Sequence, residues 1–174
     1  MKQLADYVTT IPDFPKPGIM FRDVTGVLDS AEGLQLSIDE LYKLIVGVDF
    51  DVIAGAEARG FIFGMPLAYK ACKPFVPVRK KGKLPRPSYE QTYDLEYGTA
   101  TIEIHNDSIK PGQRVVLVDD LIATGGTIEA AAKLIEKCGG IVVKIIFLME
   151  LEGLEGRKRL AKYDVESVVK YPGK

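Results

Sequence analysis

VVLVDDLIATGGTIEA, residues 115–130, is the stretch from which the fold and the chemistry of this chain are read. Four consecutive apolar residues, Val115 to Val118, follow Arg114 and match a central parallel strand buried on both faces. The strand ends in two adjacent carboxylates, Asp119 and Asp120. Thr124, Gly125, Gly126 and Thr127 then open an amphipathic helix expected over 127–138, with Ile128, Ala131, Ala132, Ile135 and Cys138 on one face. Physically, this is a phosphate cradle. The glycines let the backbone approach an anion, the N–H groups and dipole of the helix start favour negative charge, and the two threonine hydroxyls add donors. The carboxylates would repel a phosphate. They stand where they can accept hydrogen bonds from a sugar diol. A phosphate site and a diol site about one ribose apart imply a ribose 5-phosphate ligand, and open α/β sheets bind ligands at the carboxyl ends of their strands. An ordinary strand-to-helix turn with Asp as a helix-start acid is the alternative, and the full run is more specific than a glycine turn alone. Neither G-K-[ST] nor G-x-G-x-x-G is present, so the segment is neither a P-loop nor a dinucleotide fingerprint.

Outward from this centre, strands alternate with amphipathic helices, which argues for an α/β domain. A short helix is expected over 2–8, followed by an extended Pro/Gly-rich segment, IPDFPKPGIMFRD (11–23). The spacing of Leu34, Ile38, Leu41 and Ile45 predicts a helix over 30–46. DVIAG (51–55) reads as a buried strand, 61–72 as a returning helix and 75–79 as a strand. The polar, basic stretch KKGKLPRPSYEQTYD (80–94) has no periodicity and reads as a mobile loop, an unusual length inside a compact domain and more often functional than not. In LEYGTATIEIH (95–105), Thr101, Glu103 and His105 alternate with Ala100, Ile102 and Ile104, a strand with one buried face. IVVKIIFLMEL (141–151) is a second central strand. A short basic helix and a last strand, VESVVKY, follow.

The 174 residues suit one domain, with 47% in the apolar class and 27% charged. A net charge of −1 excludes a nucleic-acid binder acting through bulk charge. No apolar run reaches membrane-spanning length, and the first fifteen residues lack a signal-peptide apolar core. Cys72 and Cys138 suit a reduced, cytoplasmic setting, and one histidine with two isolated cysteines cannot assemble a structural zinc site.

VVLVDDLIATGGT resembles the phosphoribosyl-diphosphate (PRPP) motif of type I phosphoribosyltransferases. FPKPGIMFRDVTGVL (14–28), AGAEARGFIFG (54–64), VPVRKKGKLP (76–85) and YDLEYGTATIEIH (93–105) resemble the adenine-using members of that family, in the same order and at similar spacing. The resemblance implies the type I phosphoribosyltransferase fold: a central, mainly parallel sheet flanked by helices, in one domain over 1–174 with a small N-terminal hood over about 1–30. It implies transfer of phosphoribose from PRPP to adenine in purine salvage, magnesium bound through PRPP and no metal held by the chain, a homodimer, and neither nucleic acid nor membrane as partner. Asp119 and Asp120 would then hold the ribose hydroxyls, and Ala123, Thr124, Gly125, Gly126 and Thr127 the 5-phosphate. Arg59 becomes a pyrophosphate clamp, its fork bonding two oxygens at once. The family often carries a non-proline cis peptide in that loop, here at Glu57–Ala58. Arg79, Lys80, Lys81 and Lys83 would form a lid over the pyrophosphate, where a solvated charge run is the plain alternative; Arg79, Lys80 and Lys83 are the ligand candidates, and Lys81 and Arg86 add further charge. Glu96 occupies the position of the family's acid/base residue, taking the proton that the purine must lose. Main-chain groups of Met20 and Arg22 would read the adenine edge, and Phe21 would stack on the ring. His105 reads as a surface residue and Cys138 as core.

Two other functions compete. A regulator that uses this fold to sense PRPP or purines usually carries a DNA-binding extension or a basic RNA surface, and neither extra length nor net positive charge favours one here. An enzyme of the same fold could take hypoxanthine, guanine, xanthine or orotate; FPKPGIMFRD and DLEYG favour adenine.

Overall fold

The computed structural model describes residues 2–95 and 98–173. A single 3₁₀ turn over Leu4–Tyr7 stands where a helix over 2–8 was expected. The Pro/Gly-rich segment folds back on itself as an antiparallel pair, β1 (Thr9–Pro12) with β2 (Met20–Asp23), Ile11 lying opposite Phe21. A short helix not foreseen in the sequence, α1 (Thr25–Leu28), follows. Ser30 then caps α2 (Ala31–Lys43), its Oγ accepting from Gly33 N at 3.1 Å. Next come β3 (Val52–Ala56), α3 (Arg59–Lys70) and β4 (Phe75–Lys80).

The expected loop over 80–94 is half strand. Residues 88–94 form β5 (Ser88–Asp94), paired antiparallel at seven positions with β6 (Thr99–His105), which leaves only 81–87 as the connection. Thr and Tyr in β5 are good strand formers, and an edge strand pairs through its backbone whether or not its side chains alternate in polarity. The chain continues through β7 (Arg114–Ile122), α4 (Gly126–Lys137) and β8 (Ile141–Leu151). In place of the expected basic helix, two 3₁₀ turns, Glu152–Leu154 and Gly156–Lys158, lead to β9 (Val165–Tyr171).

Among the described residues the main sheet has seven strands in the order β5-β6-β4-β3-β7-β8-β9. The pairs from β4 to β9 are parallel, while β6 runs antiparallel to both β4 and β5. The double burial expected for 115–118 is present: Val115 and Leu117 pack with Ile128, Leu134 and Ile135 of α4 on one face. Val116 and Val118 pack with Ile38, Leu41, Phe63 and Leu67 of α2 and α3 on the other. Each such side chain contributes about 1.5–3 kcal/mol on burial. This rigid centre sets the carboxyl ends of β3, β4, β7 and β8 along one edge, and there the loops gather.

Candidate active site

β7 delivers Asp119 and Asp120 to that edge. Asp120 is 3% exposed and Asp119 half-buried. Asp119 Oδ1 accepts from Asp120 N at 2.9 Å. Burial first, then the neighbouring Asp120 charge, push the Asp119 carboxyl well above its ordinary value; burial also raises Asp120, against the lowering pull of Arg59. Arg59 Nε lies 2.8 Å from Asp120 Oδ2, an ion pair in which the N–H does not aim at the oxygen, so that this buried oxygen makes no hydrogen bond.

After β7 the backbone turns through Gly125 in the left-handed region, φ +80°. A Cβ there would lie 2.8 Å from the Gly156 carbonyl oxygen, so the position needs glycine for conformation and for space. Gly156 is confined in turn, since a Cβ on it would collide with the Ala123 carbonyl oxygen. The turn over 156–158 therefore buttresses the 123–126 loop. No side chain caps the start of α4, and its first residues, Gly126, Thr127 and Ile128, line the cleft.

Two cavities share this loop as a common wall. The first, about 420 Å³, is lined by Glu57, Ala58, Arg59, Lys80, Asp119, Asp120 and residues 121–128, with Phe147. The second, about 690 Å³, brings Met20, Phe21 and Arg22 of β2 against Tyr93, Asp94, Leu95, Leu151, Leu154 and Arg159. Leu121, Ala123, Thr124, Gly126 and Thr127 line both.

The structure thus brings together Arg59, Lys80, Asp119, Asp120, residues 123–127 and Met20, Phe21 and Arg22. The Arg22 guanidinium lies over the Tyr171 ring, 4.1 Å from its centroid. Phe21 meets Phe14 edge-on, with ring centroids 5.2 Å apart. The Glu57–Ala58 peptide is cis, as the family resemblance implies. Arg79 and Lys83 are not among the residues lining the first cavity. Arg79 Nε reaches Glu57 Oε2 at 3.2 Å, and its Nη1 reaches Lys83 O at 3.4 Å. Lys81 pairs with Glu90 at 2.8 Å and Arg86 with Asp107 at 2.7 Å. Glu96 lies outside the described residues; Leu95, which precedes it, lines the second cavity. His105 is half-buried and its Nδ1 is unpartnered, so it is not a free surface residue; Cys138 is core as expected.

Sequence reasoning missed Arg159, Leu151, Leu154 and Tyr93. The first three follow or end a central strand at its carboxyl edge, and the Gly-rich run EGLEGRKR (152–159) beyond that strand was the available signal. Tyr93 was hidden because 88–94 did not read as a strand; its hydroxyl meets Thr127 Oγ1 at 3.2 Å.

Known proteins share this architecture. A model of the phosphoribosyl transferase domain matches residues 28–171. Adenine phosphoribosyltransferase of Agathobacter rectalis is 68% identical over 174 residues, covering 100% of both chains. The crystal structure of adenine phosphoribosyltransferase from Thermoanaerobacter pseudethanolicus superposes with a TM-score of 0.93 at 55% identity, covering 97% of this chain and 98% of the other. The Saccharomyces cerevisiae enzyme, solved with D-2,5-dideoxy-2,5-imino-altritol 1,6-bisphosphate and adenine, superposes with a TM-score of 0.89 at 38% identity, covering 95% and 96%.

Proposed function

The chain belongs to the phosphoribosyl transferase family and, within it, to the adenine phosphoribosyltransferases; from that premise we propose how its cleft joins adenine to the phosphoribosyl group of PRPP, giving AMP and pyrophosphate. The observation that carries the reading is the shared wall. A polar cavity holding the carboxylate pair and a more apolar one holding β2 meet along residues 121–127, the arrangement that a sugar phosphate with a planar base on its C1 requires.

In this reading the 5-phosphate rests on residues 123–127, bound by backbone N–H groups at the start of α4 and by the threonine hydroxyls. Asp119 and Asp120 accept the ribose hydroxyls. Their burial beside each other leaves the site short of positive charge, and this favours the cation-like sugar that forms as pyrophosphate departs. Arg59, held at the cleft floor by Asp120, turns its remaining donors to the pyrophosphate, with Lys80 as a second cation. Met20 and Arg22 offer main-chain groups to the adenine edge, Phe21 the ring contact, and Glu96 takes the purine proton.

Magnesium fits the same deficit. In this reading the ion arrives on PRPP and is not caged by the chain. Asp119 and Asp120 carry hard oxygen donors that would suit a magnesium ion brought in on PRPP. When bound, the ion offsets the charge gathering on the leaving pyrophosphate.

The chain is read as one domain over 1–174 with a hood over about 1–30, because both core clusters sit on one sheet. A homodimer is supported by Ile62, Met65 and Tyr69, exposed at 39%, 51% and 85% along one face of α3. No helix among the described residues is long and apolar enough to cross a membrane, and the two free cysteines fit a cytoplasmic setting. Purine competition tests the substrate. AMP formation from adenine should persist against excess hypoxanthine, guanine, xanthine or orotate, and preferential consumption of any of these would overturn the assignment.

A further inference from the structure

The strand alternation in TATIEIH places Glu103 on the outward face of β6, yet only 4% of it is exposed. Lys81 feels the charge of this carboxylate but makes its ion pair with Glu90. Glu103 Oε1 accepts from Lys83 N at 2.9 Å and Leu84 N at 2.8 Å, and its Oε2 accepts from Ser88 Oγ at 3.4 Å. Burial pushes its pKa up, and the N–H groups of Leu84, Lys83 and Gly82 outweigh that, so the carboxyl sits below the ordinary value and stays ionised. Every donor comes from the 81–87 connection or the first residue of β5. What the carboxylate holds is therefore the connection, and a buried ion is a costly way to hold a sheet that an apolar side chain would hold as well.

The connection hands the restraint on. Lys83 O accepts from Arg79 Nη1, and Arg79 Nε reaches Glu57 Oε2, which also accepts from Lys80 N at 2.9 Å. Glu57, Arg79, the 83–84 turn and Glu103 form one continuous run, and it spans the end of β4. That end is also where β6 joins β4, through two registered pairs, Arg79 with Glu103 and Lys80 with Ile102. Lys80, whose backbone N–H Glu57 holds, lines the first cavity, and Arg79 and Lys83 do not.

We propose that Glu103 is a positioning residue for the pyrophosphate half of the reaction: it fixes the 82–84 turn, through it Arg79, and with Glu57 the point from which Lys80 enters the cleft. This rests on the reading of that cavity as the PRPP site. Steady-state kinetics in both directions tests it, alongside melting curves. Glu103→Leu keeps the volume and removes the acceptors, so KM for PRPP and, in reverse, for pyrophosphate should rise about tenfold, while KM for adenine stays within about twofold. A purely structural glutamate would lower the melting temperature and the active fraction and leave every KM in place, and that result overturns the proposal. If Glu103→Leu does not fold, Glu103→Gln decides: its neutral oxygen should raise the same two constants about two- to fourfold at unchanged melting temperature, and unchanged constants overturn the proposal. Lys80→Ala separates the layers. Unchanged pyrophosphate KM in Lys80→Ala removes the cleft reading and the proposal with it; a raised KM there beside unaffected Glu103 variants removes the positioning role alone.

Discussion

Gly125→Ala is the sharpest perturbation of the phosphate loop, because two separate costs fall on one added methyl group. The left-handed backbone, φ +80°, costs a non-glycine residue about 1–2 kcal/mol. The Cβ also lands 2.8 Å from the Gly156 carbonyl, which cannot retreat because Gly156 is itself jammed against Ala123 O. A further ~1 kcal/mol is the least that a forced backbone shift costs. The total is ~2–3 kcal/mol, which in a domain of this length lowers the melting temperature by about 4–12 °C. Gly47→Ala isolates the first cost: Gly47 has φ +81° and nothing within 4 Å of an added Cβ. It should lose only ~1–2 kcal/mol. The functional signature goes further. Displaced N–H groups at residues 125–127 should raise KM for PRPP about tenfold or more in Gly125→Ala and not at all in Gly47→Ala, because charge-assisted bonds contribute about 1.5–3 kcal/mol each. Calorimetric melting with initial-rate kinetics on both variants makes the comparison. Equal melting shifts together with an unchanged KM for PRPP in Gly125→Ala would refute the argument that this loop holds the 5-phosphate through its tight fit on the 156–158 turn.

Asp119→Asn should weaken PRPP binding about 10- to 100-fold while raising the melting temperature. Burial and the Asp120 charge lift the Asp119 pKa well above 3.8, so the folded chain keeps a proton that the unfolded chain releases, and stability falls as pH rises from 3.8 through that raised value. The variant's advantage should therefore be largest at neutral pH and vanish toward pH 3.8; a variant that melts below wild type at pH 7 contradicts it. Glu96→Gln should slow the chemical step roughly 10²–10⁴-fold in single-turnover kinetics with PRPP affinity nearly kept, and a rate within about threefold of wild type removes its acid/base role. In hydrogen exchange, the amides of 88–94 that pair with β6 should be protected with and without PRPP, and fast exchange across the whole of 80–94 in the free enzyme would contradict the hairpin.

Local chemistry was enough for the centre of this molecule. Four apolar residues in a row need cover on both faces, two adjacent carboxylates late in a strand need hydroxyl or cation partners, and T-G-G-T before an amphipathic helix presents N–H groups to an anion; all of this follows from residues within a few positions of one another, and the strand, turn and helix over 115–130 are present, with β7 running two residues past the carboxylates to Ile122 and the helix starting at Gly126 instead of Thr127. The family resemblance added Arg59, Lys80 and the β2 residues, which the fold assembles around that centre. Partnerships across the chain were not legible. Ser88–Asp94 became a strand because β6 offered it an edge, which no pattern inside 80–94 records. Arg79 and Lys83 read as lid cations, and no local pattern records that Arg79 pairs with Glu57 or that the Lys83 backbone N–H donates to Glu103, partners 22 and 20 residues away. Glu103 itself followed the period of an exposed face and was buried by a loop folded over it. Periodicity reports which way a side chain leaves its own backbone, whereas burial and ion pairing depend on what arrives from elsewhere in the chain, and that is decided only when the tertiary structure closes.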